Sequence, residues 1–305
     1  MVVKRCLHRR ARVYINFEKE RLFKCELCGL VFNRVMKTKP EKLYKNYYRN
    51  EIGGRFGLGI ESVIKMFRFF RAFKVWLIVG RLDRSVLDVG SGRGFMLYYL
   101  RKYFGFKKVV GTQISKPALE FSRRRLGLTV YDGDLIKLKL PSGSFNVITI
   151  WHVLEHVKDP EGYLAEMRRL LKRGGKLVVE VPNFASWTRK WTGCYWLGLD
   201  LKYHLSFFDY ESLEGLLEKY GFMVKKRHNF SLEYSSFISS QSIISWLTKS
   251  DQVFFNWLQK PDWDWRILFY GSLFLVLMPL CFLVNILLYF SNRGEVLLLV
   301  AEKLK

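Results

Sequence analysis

Gly90, Gly92 and Gly94 alternate directly after an apolar run, Val86, Leu87 and Val89, that Asp88 interrupts. A turn without Cβ atoms lets main-chain N–H groups and a helix N-terminus come close to a ligand. Phe95, Leu97, Tyr98 and Leu100 then follow at helical spacing. Residues 85–94 therefore read as buried strand, glycine turn and helix. A ligand-free strand-to-helix turn shares this local pattern. A dinucleotide fingerprint needs a third glycine three positions after the second. That position is Phe95, so the spacing is G-x-G-x-G.

Other groups capable of chemistry are scattered along the chain. Cys25 and Cys28 form a C-x-x-C-G knuckle, a spacing that gives two corners of a zinc tetrahedron. Cys6 and His8 are the nearby candidates for the remaining corners, at poor spacing. A knuckle-shaped turn with free thiols is the alternative. His152, Glu155 and His156 follow a strand pattern at 144–150, and His204 precedes a helical one. A lone buried histidine is commonly structural, and His204 is also a candidate general base.

The stretch Val86-Leu87-Asp88-Val89-Gly90-Ser91-Gly92-Arg93-Gly94 resembles the first motif of class I S-adenosylmethionine-dependent methyltransferases. His152-Val-Leu-Glu-His156-Val with Asp159-Pro160, and His204-Leu-Ser-Phe-Phe-Asp209, are similar to the ubiquinone/menaquinone-biosynthesis-like group, the methyltransferase domain 23/11 type. The resemblance implies that S-adenosylmethionine lies against Asp88, Gly90, Ser91, Gly92 and Gly94. It puts Asp134 and Leu135 near the adenine and Trp151 and His152 near the sulfonium. His152 and His204 are the candidate catalytic residues, and His204 would border the acceptor pocket. Gln113 stands where the family carries an acid for the ribose hydroxyls; its amide oxygen accepts a hydroxyl hydrogen bond without charge assistance. Relatives of this type begin with two C-x-x-C pairs. Here the first keeps only Cys6, with Arg9 at its second position, so Cys6, Cys25 and Cys28 read as a degenerate zinc ribbon.

Strand and helix patterns alternate from 85 to 232, which predicts an α/β fold. The expectation is a Rossmann-like, doubly wound sheet of seven strands with the last strand antiparallel. An N-terminal knuckle and a C-terminal hydrophobic helical insertion complete it. Residues 1–40 form the knuckle segment and 41–84 a helical approach or lid. Ile60, Val63, Ile64, Phe67, Phe70 and Trp76 are expected to face inward in that lid. Residues 85–232 with 294–305 make the core, and 233–293 the insertion. Ile267 to Phe290 carries no charge, but Pro279 divides it. Because Glu295 to Ala301 reads as a core strand, the insertion must leave the sheet and return. A re-entrant or surface-lying helical hairpin fits better than a single crossing. Trp257, Lys260, Trp263, Trp265 and Arg266 would anchor it, and a buried cap or dimer interface is the alternative.

The 305 residues include 51 Lys and Arg against 27 acids, a formal net charge of +24. That favours polyanionic surfaces, either an anionic membrane or nucleic acid. The five cysteines offer no disulfide framework, and Met1 to Arg12 lacks a signal-peptide core. The expectation is a cytoplasmic protein, peripheral or monotopic on the inner membrane face. It would methylate a small-molecule, lipid or lipid-linked glycan acceptor. An RNA or DNA methyltransferase and a non-catalytic membrane scaffold are the alternatives. Phe95 and Gln113 disfavour a nicotinamide enzyme.

Overall fold

The computed structural model describes residues 6, 8–17, 21–34, 58–80, 85–250, 252–259 and 265–304. The expectations for 41–57, Lys260 and Trp263 lie outside these residues.

Seven strands form the main sheet: β4 (Ser85–Val89), β5 (Lys108–Gln113), β6 (Thr129–Asp132), β7 (Phe145–Trp151), β8 (Leu171–Pro182), β10 (Phe222–His228) and β11 (Val296–Lys303). Their order is β10-β11-β8-β7-β4-β5-β6. Neighbours from β8 to β6 are parallel, and β11 runs antiparallel between β8 and β10. The sequence expectation for the sheet is met, including the final strand. Every residue of β4 is buried, as a parallel strand covered on both faces requires. From β4 the chain winds outward through β5 and β6, then crosses to β7 on the other side. The carboxyl ends of β4 and β7 thus flank the topological switch point, where open α/β sheets bind ligands.

Helices α2 (Phe95–Tyr103), α3 (Lys116–Leu126), α4 (Pro160–Leu170) and α6 (Tyr210–Lys219) cover the sheet. Asp159 caps α4 by accepting from Gly162 N, and Asp209 with Ser212 forms a capping box on α6. α4 ends before Gly174 and Gly175, although glycines commonly stop a helix. The helix stops at Leu170, and from Leu171 the chain is already extended and paired with Phe145.

The approach helix α1 (Leu58–Val79) buries a different face from the one its aromatics mark. Ala72, Val75 and Val79 are buried, whereas Val63 and Phe70 are each 45% exposed. The small residues let α1 lie close to α2. Phe69 and Phe73 then collect at the rim with Tyr99, Tyr103 and Phe104.

A second sheet joins β1 (Ala11–Asn16), β2 (Arg21–Cys25) and β3 (Val31–Asn33) to β9 (Ser206–Phe207). The pairing of β3 with β9 ties the cysteine knuckle to the main domain.

Between β10 and β11 the chain forms α7 (Ser235–Thr248), α8 (Val253–Gln259) and α9 (Trp265–Tyr289). α5 (Trp187–Thr192) packs on α7. The expected break at Pro279 does not occur: α9 is one helix of 25 residues. Its buried residues Phe274, Cys281 and Asn285 form one stripe along α7. Asn285 Nδ2 donates to Ser239 Oγ at 2.9 Å and to Cys281 O at 2.8 Å. Contacts on both sides of the proline hold the two halves in line, so the loss of one main-chain hydrogen bond is tolerated.

Candidate active site

Gly90, Gly92 and Gly94 all have positive φ, at 73°, 55° and 78°, a region costly for residues with a Cβ. A Cβ on Gly90 would stand 2.5 Å from Val153 Cγ2, and one on Gly94 would stand 2.5 Å from Leu128 Cδ1. The turn can therefore lie against its neighbours only as glycine. Arg93 pairs with Glu61, which straps α1 across the turn. Two buried polar atoms at this edge of the sheet, Ser115 Oγ and Trp151 Nε1, have no hydrogen-bond partner among the described residues. A glycine cradle at the switch point, with unsatisfied polar groups beside it, fits a polar ligand such as S-adenosylmethionine.

Asp88 is buried, and Thr149 Oγ1 donates to it at 2.7 Å. Burial pushes its carboxyl up to about 6, against the pull of that hydrogen bond and of Arg71 and Arg68. Ser91 N donates to Thr112 O, which pins the turn to β5. Gln113 is already occupied. Its Oε1 accepts from Ile114 N at 2.8 Å and Ser115 N at 2.9 Å. The oxygen expected to meet a ribose hydroxyl is thus spent on the start of α3, and the NH₂ end is what remains for a ligand. Asp134 accepts from Ile136 N at 3.0 Å and caps a single 3₁₀ turn. Leu135 is 1% exposed and packs in the core.

His152 sits just past β7 at φ 51°. Its Nε2 lies 3.1 Å from Glu180 Oε1 and its Nδ1 lies 3.4 Å from Glu155 Oε1. Burial alone would depress the imidazole, but the two carboxylates outweigh it and hold its pKa at about 9. His152 is therefore an imidazolium near neutral pH and is unavailable as a proton acceptor, which corrects the catalytic expectation for it. Burial disfavours the Glu180 carboxylate, yet His152 and Arg71 pull its pKa down to about 2. Arg71 stacks 4.4 Å from the Trp151 ring and reaches Glu233 at 2.8 Å. Phe67, Phe70, Trp151, Glu180, Leu232 and Glu233 line the small cleft beside it, of about 70 Å³. Sequence reading missed this charged frame, because Arg71, Glu180 and Glu233 lie on three elements remote along the chain.

His204 does not open on that cleft. It is 8% exposed, its Nδ1 is 2.9 Å from Gly198 O, and its ring lies 4.7 Å from that of His156. Among the described residues it does not line the cleft beside Arg71.

At the knuckle, the Sγ atoms of Cys6 and Cys25 are 3.7 Å apart, and Cys28 Sγ is 3.4 Å from His8 Nδ1. Ligand atoms of all four residues lie within 4.8 Å of one another. Tetrahedral zinc with bonds of about 2.3 Å to sulfur sets ligand–ligand edges of roughly 3.8 Å. The donor set fits zinc, with His8 as the fourth corner that its poor spacing had obscured.

A family profile described as a methyltransferase domain matches residues 65–226. The demethylmenaquinone methyltransferase of Thermus thermophilus is 31% identical over 115 residues, covering 36% of this chain and 52% of that protein. The ubiquinone biosynthesis O-methyltransferase of Coxiella burnetii is 30% identical over 105 residues, covering 33% and 44%. The chain thus spans about half the length of these relatives. The crystal structure of an S-adenosylmethionine-dependent methyltransferase from Archaeoglobus fulgidus shares the fold. It has a TM-score of 0.50 and 20% identity, and the match covers 87% of this chain and 100% of that one. The profile covers more than half of the chain and takes in every strand that frames the glycine cradle, so the protein belongs to the class I methyltransferase-domain family.

Proposed function

We propose that the protein transfers a methyl group from S-adenosylmethionine to a lipid-type acceptor at a membrane surface. The observation that carries this reading is the position of the cleft relative to α9. Leu232 lines the cleft, and the nearby Phe230 packs against Phe282 of α9 with ring centroids 5.7 Å apart. α9 has a mean hydropathy of 2.5, with 11% of that stretch buried. At 1.5 Å per residue it is about 37 Å long, and Leu268, Leu275, Leu283 and Leu287 are exposed along it, with Phe290 exposed just after it. Such a surface finds its stable environment among acyl chains. The net charge of +24 adds attraction to anionic headgroups. An acyl-chain acceptor lying along α9 would present its headgroup to the cleft.

The glycine cradle and the ends of β4 and β7 would hold the cofactor, which supplies an electrophilic methyl when bound. The protein's part is then mainly alignment. Arg71, Glu180 and the protonated His152 form a charged frame that fixes Trp151 and the turn after β7. A cleft of about 70 Å³ has room for roughly two waters, so acceptor entry requires α1 or the loop before α7 to move. In the same reading Cys6, His8, Cys25 and Cys28 hold a structural zinc that stiffens the second sheet.

The test is incubation of the protein and methyl-labelled cofactor with separated lipid, glycan and RNA fractions. Label in the lipid fraction supports the reading. Label confined to RNA would replace it with the nucleic-acid alternative.

A further inference from the structure

Behind His152 lies a second cluster. Glu155, His156 and His204 place one ligand atom each within 4.8 Å of one another. His156 Nδ1 is 3.1 Å from Tyr203 O, and His204 Nδ1 is 2.9 Å from Gly198 O. A carbonyl only accepts, so each Nδ1 must carry the proton and each Nε2 is the lone-pair nitrogen. Burial lowers the pKa of both imidazoles.

Glu155 is 1% exposed. Apart from the 3.4 Å ion-pair contact between its Oε1 and His152 Nδ1, neither of its oxygens accepts a hydrogen bond among the described residues. Two imidazoles whose Nδ1 atoms are turned to carbonyls thus come together with a carboxylate that accepts no hydrogen bond among the described residues. A buried carboxylate that accepts no hydrogen bond is costly, and a cation relieves it. Metal-bound histidines are typically oriented by donating their other ring N–H to a carbonyl, and both histidines here do so.

We infer that Glu155, His156 and His204 form a second metal site, for a divalent first-row ion, distinct from the cysteine knuckle. Two imidazoles and one carboxylate suit zinc, iron(II), cobalt(II) or manganese(II) better than calcium or magnesium. Glu155 and His156 sit on the 3₁₀ turn after β7, and His204 sits just before β9. An ion there would clamp these loops together and fix the turn carrying His152 from behind. It would also share the Glu155 carboxylate with His152.

Cobalt(II) titration of the full, metal-stripped chain tests the inference without reference to activity. Two tight equivalents are expected. One should show sulfur-to-cobalt charge transfer, from the cysteines. The other should show only the weaker ligand-field bands of nitrogen and oxygen donors. A single equivalent of the second kind would still support the inference while refuting zinc at the knuckle. No equivalent lacking charge transfer would overturn it. In H204Q and in E155Q, the nitrogen–oxygen equivalent should weaken by more than the roughly 10–100-fold typical of outer-shell changes, while the thiolate bands persist as an internal check on folding. Unchanged cobalt affinity in both variants would also overturn the assignment.

Discussion

Glu180 Oε1 accepts from His152 Nε2 at 3.1 Å, across the carboxyl ends of two adjacent parallel strands. Glu180 is 1% exposed, and Arg71 of α1 approaches the same oxygen at 3.8 Å. This pair joins the turn after β7 to the helix that straps the glycine cradle. Removing one partner of a buried pair leaves the other uncompensated, at a cost of about 3–5 kcal/mol. Glu180→Gln is therefore expected to lower stability by about 3 kcal/mol or more. Adding His152→Gln to it should recover part of that loss, because the two groups are coupled. Urea unfolding of the two single variants and the double variant measures the coupling. Strictly additive losses would mean that the pair is not formed.

Gln113 gives a second check. Glu at this position keeps an oxygen for the N–H groups of Ile114 and Ser115 and offers a second one to ribose hydroxyls. Gln113→Glu should bind S-adenosylmethionine as tightly as the parent or more tightly. Gln113→Leu should cost about 1–3 kcal/mol of stability by stranding buried donors. Calorimetry reads the first and thermal unfolding the second. Several-fold weaker binding in Gln113→Glu would show that the NH₂ end makes the contact that matters.

Asp88 sets a pH dependence. Its folded pKa, about 6, lies above the ordinary value of 3.8. A carboxyl raised on folding contributes stability that is complete below its unfolded pKa and is lost as pH rises through the folded one. The protein should therefore lose stability between about pH 4 and pH 7 through this group. Asp88→Asn should flatten that part of the profile, by at most about 3 kcal/mol for a shift of two units. An unaltered profile in Asp88→Asn would show that Asp88 is ionised in the folded state at lower cost than its burial implies.

Much of this arrangement was legible in the residues. Apolar runs marked the strands, the resemblance to the methyltransferases implied that the last one is antiparallel, and three glycines located the cradle. Two faces were misread. The aromatics of α1 outrank Ala72, Val75 and Val79 in hydrophobicity, yet the small residues set how closely helices approach. Pro279 marks a break by local propensity, but contacts of α9 along α7 override it. Tertiary convergence was legible only in part. His8 was named only as a poorly spaced candidate beside the cysteines, and the meeting of His204 with Glu155 and His156, beside the hydrogen bond from Leu205 N to Glu155 O, was not foreseen. Such juxtapositions leave no periodic trace in the sequence.

Membrane attachment is open to direct measurement. The intact chain should float with vesicles containing anionic lipid more than with neutral ones, and high salt should weaken the difference. Replacing residues 267–290 by a short linker should abolish flotation while cofactor binding persists. Flotation that survives this deletion would move the attachment away from α9. In sealed vesicles, the sheet domain and the end of β11 should be cut by protease from the same side. Cleavage from opposite sides would contradict the return of β11 to the sheet.

The most direct test of the account is titration of the full chain with S-adenosylmethionine in a calorimeter, alongside Gly92→Val. Gly92 has a φ of 55°, where a β-branched residue is strained by about 1–2 kcal/mol and its side chain blocks the ligand's approach. The parent should bind one equivalent of cofactor, and Gly92→Val, still folded by circular dichroism, should bind none. Absence of binding by the parent, or equal binding by Gly92→Val, would contradict the assignment of the glycine turn as the cofactor cradle.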